Sequence, residues 1–507
     1  MRMATRMSHP YYGPVLPPTR EFTGHTFGSA MTFRGRAKGV ANIMRRKFWL
    51  SLVLLIAISG QSASAQGLLG GLLSNLGSTV SNLTEPQPGV IVRTNAGLAG
   101  LKLVCLLHAC NVVGNLDGNL GQVFLVRSSN GLLPNLLANV LSLVNGIVDA
   151  EPDQALVIPP NPTAPDTSNA APAGLWETSP VNYYGTTVTY GYVNQPAAAI
   201  IQLPQAQKNF NVTGKGIIAD IDTGVDPTHP ALQGVLLPGW DFTRNQAGGN
   251  ELNDVNMSAP PPCDSCPAAY VNQHTAAMLD QHTAHMLDGT GYEAFGHGTM
   301  VLGVIHLVAP TAQLLPAKAF GPDGNGSLSN IIAAVYYSVQ NHANVINMSF
   351  DMTTSSTEFN NALKYANNNH VILVASAGNE GEDEMVYPAG WQQYVMGVAS
   401  TNNQDQPSSF SNYGDQVVWV AAPGEGVITT YPFGLYAAGW GTSFSCPMVS
   451  GTASLVLNVQ SNASQNQAAW AVTHAKFINT TMGFGRLNTN WALTSMAPLQ
   501  GLSSLLP

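Results

Sequence analysis

Four short stretches of this chain carry side chains that could do chemistry together. They occur in the order Asp222-Thr223-Gly224, His297-Gly298-Thr299, Ser376-Ala377-Gly378-Asn379-Glu380-Gly381 and Gly441-Thr442-Ser443-Phe444-Ser445-Cys446-Pro447. They supply a carboxylate, an imidazole, a side-chain amide and a hydroxyl, the set that cleaves an amide through an acyl-enzyme. A serine hydroxyl is a weak nucleophile near neutral pH and needs an imidazole to take its proton. The imidazole needs a carboxylate to fix its tautomer and stabilise its cation. The tetrahedral intermediate needs preset donors, and the Asn379 amide with the backbone N–H of Ser443 would provide two.

These residues must be held by regular elements. Apolar runs mark strands over Gly216–Ile221, Ala312–Ala319, Val345–Met348, Val371–Ala375 and Tyr394–Ala399. Helical spacing marks His297–His306, Leu328–Asn341, Thr357–Asn369 and Ser443–Gln460. Such alternation predicts an α/β fold with a parallel sheet and helices on both faces. Asp222, Ser349 and Asn379 then fall at the carboxyl ends of strands, where ligands collect. Asp220 lies two residues before Asp222 and so on the same side of its strand, where burial would raise its own pKa. Pro447 is expected in an early helical turn at no cost in hydrogen bonds.

In these motifs, and from about Gly214 to Asn488, the chain resembles the subtilisin-like serine proteases. The resemblance implies an α/β subtilisin-like parallel sheet, preceded by a small α+β propeptide domain. It implies Asp222, His297 and Ser443 as the catalytic triad and Asn379 as oxyanion donor, acting on a protein or peptide substrate. Substrate would bind as an added strand along Gly324, Gly326 and Ser327, with Ser349, Phe350, Ala377 and Gly378 lining the cleft. Phe350 and Asp351 depart from the family pattern, which has Gly soon after the serine. Bulk or charge there would narrow the first specificity pocket or favour a basic side chain. Tyr387-Pro388 resembles the family's cis-proline turn. No cofactor is implied for catalysis. A structural calcium has no assigned place: at one common family site Ala231 replaces an acidic ligand, and no extra loop interrupts the helix after His297.

The chain has 507 residues, room for two or three domains. Only 9% are charged, against about 25% in a typical soluble protein, so the surface relies on Asn, Gln, Ser and Thr. Net charge is −9 and no Lys/Arg cluster follows residue 47, which argues against nucleic acid as a partner. Three basic residues, the apolar run Phe48–Ile58 and Ala63-Ser64-Ala65 read as a signal peptide over 44–65, with 1–43 an extension ahead of the true start. Secretion or release to a periplasm follows, with no stable membrane anchor after cleavage. Residues 66–87 are of low complexity, and 88–160 carry strand and helix patterns ending in Glu151-Pro152-Asp153. That segment loosely resembles the family's inhibitory propeptide, which would make the chain a zymogen. Its rival reading is an independent small domain. Residues 161–184 read as a Pro-rich linker, 185–495 as the catalytic domain and 496–507 as a tail.

Five cysteines leave at least one unpaired, and Cys446, just past Ser443, is the expected free one. The insertion before His297 holds Cys263, Cys266 and a tandem repeat carrying His274, His282 and His285. Exported cysteines favour a disulfide-tied surface insertion there over a metal site. Two rival functions share these motifs: a catalytically silent scaffold, disfavoured because all four positions are filled, and an esterase using the same triad.

Overall fold

A computed structural model of the chain describes residues 89–158, 172–255, 275–278 and 292–497, the segment 275–278 as backbone only. The described residues form one compact unit. Its centre is an eight-stranded sheet in the order Gln246–Ala247, Trp240–Asp241, Gln313–Lys318, Ile217–Asp222, Val345–Met348, Ile372–Ser376, Met396–Thr401 and Val420–Pro423. All neighbours pair in parallel except the first two, which form a short antiparallel edge. The long strands are apolar on both sides because both faces are covered.

Alternation along the strands divides the core. Ile218, Val345, Ile372, Val374 and Val398 face one cluster, which holds the helices His297–Val308 and Thr442–Val459. Ala219, Ile221, Ile346, Leu373 and Ala399 face the other, under the helices Leu328–Gln340 and Thr357–Asn368. Asp220 and Asp222 share the parity of Ile218 and so project toward the first pair of helices. The expected strands and helices agree with the observed ones to within one or two residues at nearly every end.

Residues 90–152 form a four-stranded antiparallel sheet, ordered Cys110–Asn115, Val123–Ser128, Val90–Thr94, Ile147–Pro152. The helices Gly97–Leu107 and Pro134–Leu141 pack on one face with Val90, Val92, Phe124 and Val126. The helix Gly97–Leu107 and the strand Cys110–Asn115 that follows it are tied by a Cys105–Cys110 disulfide. The other face places Ile91, Val123 and Leu125 in the core cluster of the Leu328–Gln340 and Thr357–Asn368 helices.

Polar contacts fasten this seam. Arg93 pairs with the fully buried Glu358, Nη2 to Oε2 at 2.6 Å. Glu151 accepts from Ser356 Oγ at 2.5 Å and from the Thr357 and Glu358 amides at 3.1 Å each, capping a helix of the neighbouring domain.

Two expectations need correction. The linker expected over 161–184 carries structure in its second half: Leu175 is buried, and Pro180–Tyr183 forms a hairpin with Thr186–Thr189. Three antiparallel-sheet segments escaped notice, of which Val427–Tyr431 and Leu435–Gly439 pair with each other and the latter with Thr275–Met278. Cys263, Cys266, His274, His282 and His285 lie outside the described residues, as do the segments 1–88 and 498–507.

Candidate active site

Asp222 ends its strand and turns through Thr223 and Gly224. His297 opens its helix directly opposite. The approach is close: a Cβ on Gly298 would stand 2.1 Å from the Gly224 carbonyl, and one on Gly296 would meet the Tyr431 ring at 2.5 Å. The two glycines around His297 are therefore steric requirements. The outcome is a buried pair, with His297 Nδ1 at 2.7 Å from Asp222 Oδ1 and 2.9 Å from Oδ2. An ionised carboxylate can only accept, so Nδ1 carries the proton and Nε2 is the basic nitrogen.

Ser443 is the second residue of the helix Thr442–Val459 and is 5% exposed. Its Oγ donates to the Ser349 carbonyl at 3.2 Å. Pro447 lies early in this helix, as expected, but inside it, and it does cost a helical hydrogen bond. Lacking an N–H, it leaves the Ser443 carbonyl without its helical donor. The Ser349 hydroxyl fills that place at 3.1 Å.

Asn379 is oriented by Thr442. Its Oδ1 accepts from the Thr442 amide at 2.8 Å and the Thr442 hydroxyl at 2.9 Å. This fixes the amide plane and turns the NH₂ group away from Thr442. Gly378 lies at φ 98° and gives its carbonyl to Thr442 Oγ1, while Ala377 continues the sheet by bonding Val398. Asn379, Ser349 and Ser443 are thus brought together at the strand ends.

The strand expected to receive substrate is already paired. Asn325, Gly326 and Ser327 run antiparallel to Val157, Leu156 and Ala155, and Ile158 donates its amide to the Gly324 carbonyl at 2.9 Å. Ser327 also caps the following helix. Leu156 and Ile158 are buried. Phe350 differs from its expected place on the pocket rim. It is 1% exposed, stacked among Phe320 and Phe359 in the core cluster that also takes Leu156, because an aromatic ring there finds apolar neighbours. Tyr387–Pro388 is a cis bond.

Behind the pair lies a polar layer that sequence reasoning missed. Glu251 is fully buried and accepts from Thr223 Oγ1 at 3.1 Å, from the Gly296 amide at 2.9 Å and from Thr299 Oγ1. Burial pushes its carboxyl up to about 7. Lys318, also buried, donates to the Thr223 and Phe320 carbonyls and to Asp254. No motif surrounds Glu251; only its distant partners, joined by folding, mark it. Asp220 was flagged. Burial, with the charge of Asp222 adding to it, drives its carboxyl well above the usual range, although Asn347 donates to it at 2.9 Å. Asn347 Oδ1 in turn takes Ser450 and the buried free thiol of Cys446.

Among the described residues, no three His, Cys, Asp or Glu side chains are grouped to hold a metal ion, and no helix is long and apolar enough to cross a membrane.

Comparison with known proteins bears on this arrangement. The model of the subtilase family matches residues 214–494. Thermitase of Thermoactinomyces vulgaris is 33% identical over 280 residues, 55% of this chain and 88% of thermitase. The major intracellular serine protease of Bacillus subtilis is 30% identical over 288 residues, 54% and 77% of the two chains. Subtilisin BL of Lederbergia lenta is 34% identical over 197 residues, 37% and 71%. The matched span begins just before the Asp222 strand and ends in the last helix, covering the whole parallel sheet and every cleft residue named above. On that span and fold, the chain belongs to the subtilase family and is a serine-type endopeptidase.

Proposed function

We propose that this peptidase is exported as a zymogen, with Asp222, His297 and Ser443 as its triad and Asn379 as its side-chain oxyanion donor. One observation carries the catalytic part: Asp222 holds Nδ1 of His297 while Thr442 holds the carbonyl end of Asn379. In this reading His297 Nε2 and the Asn379 NH₂ are the groups that serve the reaction at Ser443. His297 Nε2 takes the Ser443 Oγ proton as Oγ attacks the substrate carbonyl. The developing oxyanion accepts from Asn379 Nδ2 and the Ser443 amide at a helix N-terminus. The imidazolium, stabilised by Asp222, then protonates the departing amine. Water repeats the sequence on the acyl-enzyme, with His297 as base.

The zymogen reading is supported by the pairing of 155–157 with 325–327, which fills the edge a substrate would need. In this reading the unit at 89–158 is an intramolecular inhibitor. Export rests on the signal-like pattern of 44–65. A fluorophosphonate should label the processed chain at Ser443 and abolish peptide hydrolysis, and the Ser443→Ala chain should neither take the label nor hydrolyse peptide. Turnover surviving in Ser443→Ala would sink the assignment.

A further inference from the structure

Asp351 follows Ser349, which bonds to Ser443, and Phe350, whose ring lies in the core. Reciprocal main-chain hydrogen bonds between Met352 and Tyr387, 2.8 Å each, hold its segment against residues 385–388. Ser376 Oγ donates to the Phe350 carbonyl at 3.3 Å, tying the same segment to the stretch that leads to Asn379. Asp351 therefore belongs to a wall, residues 349–352, that is tied to two others: the stretch leading to Asn379 and residues 385–388. It is nine-tenths buried, and among the described residues its carboxylate has neither a hydrogen-bond donor nor a counter-charge.

Other carboxylates crowd it. Burial, with repulsion from Glu380 and Glu384, pushes Asp351 up to about 8. Glu380 is fixed in place: its Oε2 accepts from the Asn379 amide at 3.0 Å and from Asn412 Nδ2 at 2.7 Å. That oxygen also lies beside the wall residue Gly378, 2.7 Å from where a Cβ would stand. A buried acid without donor or cation is costly, and an apolar ligand would leave it so. These acids do not converge as a metal ion requires. A cation carried on a long stem fits the spacing better.

When a peptide carbonyl sits between Ser443 and Asn379, the side chain on the same residue enters the space between those walls. We infer that Asp351, with Glu380 and Glu384 beside it, selects Lys or Arg immediately before the scissile bond. A Lys ammonium or Arg guanidinium supplies both the donors and the charge that Asp351 lacks. This deepens, and rests on, the reading of Ser443 and Asn379 given above.

The test uses the processed full-length product and matched Ala-Ala-Pro-X anilides with X as Arg, Lys, Leu or Phe. Active sites are counted by fluorophosphonate labelling. Wild type should cleave the Arg or Lys member at least about 10-fold faster in kcat/KM than Leu or Phe. Asp351→Asn should reduce that ratio at least about 10-fold. Glu380→Gln should reduce it in the same direction and serves if the first variant does not fold. Labelling with faster cleavage of Leu or Phe, or an unchanged ratio in Asp351→Asn, would overturn the pocket assignment alone. Absence of both labelling and cleavage would overturn the catalytic reading with it.

Discussion

Asp153 and Ser329 are joined twice across the seam, the Asp153 carboxylate accepting from the Ser329 amide at 2.9 Å and its hydroxyl at 2.8 Å. Ser329 is the second residue of its helix, so the carboxylate also meets the positive end of the helix dipole. Hydrogen bonds to a charged group are each worth about 1.5–3 kcal/mol. Asp153→Ala, which removes both, should therefore loosen the seam by about 10²–10⁴-fold. The measurement is the rate at which a fluorophosphonate labels the unprocessed chain, which should rise by that factor. An unchanged rate would mean that the unit at 89–158 does not limit access to Ser443.

Removal of that unit should depend on Ser443 itself. Mass spectrometry of the wild-type product should show the segment up to the 159–171 stretch cleaved away, and Ser443→Ala should keep it attached. Identical cleavage in both chains would exclude self-processing, though not activation by another protease.

Asn379→Ala should lower kcat by about 10²–10³, the usual loss for one oxyanion donor. The variant also deprives Thr442 of its acceptor. Rates are thus to be normalised to the fraction of Ser443 that can be labelled. Full turnover per labelled site would show that the oxyanion is held elsewhere.

Glu251→Gln should alter the pH dependence of stability. The folded carboxyl titrates at about 7, above its ordinary 4.5. Between those values the folded chain keeps a proton that the unfolded chain has released, so this stabilisation is complete below 4.5 and lost as pH rises to 7. The loss is on the order of 3 kcal/mol. A glutamine amide does not titrate. In a Ser443→Ala background, urea midpoints of the Glu251→Gln variant should gain on those of its parent between pH 5 and pH 8. Parallel curves would show that Glu251 ionises without cost.

The parallel sheet was legible because its strands, such as Val345–Met348, are unbroken apolar runs bounded by turns, a local signal. Asp222, His297, Asn379 and Ser443 were legible through the glycines that close packing demands around them. Glu251 was not: its three donors come from residues 223, 296 and 299, and nothing near it in the chain announces them. Phe350 misled for a related reason. Its neighbour Ser349 faces the cleft, but the ring finds Phe320 and Phe359 in the core, and only the packed structure reveals which side it takes. The hairpin Pro180–Tyr183 with Thr186–Thr189 hid behind Pro-rich composition, which marks where a chain bends but not where bending ends.

The hydrogen bond that Pro447 cannot make has a mechanical consequence. The Ser443 carbonyl is gripped by Ser349 Oγ, while Ser443 Oγ is received by the Ser349 carbonyl. Each residue thus holds the other by both its main chain and its side chain. The head of the helix Thr442–Val459 and the end of the neighbouring strand are riveted at one point, so a displacement of either carries the other with it. Drift in the fold then moves Ser443 Oγ and the Ser349 segment together, and the alignment between them is preserved.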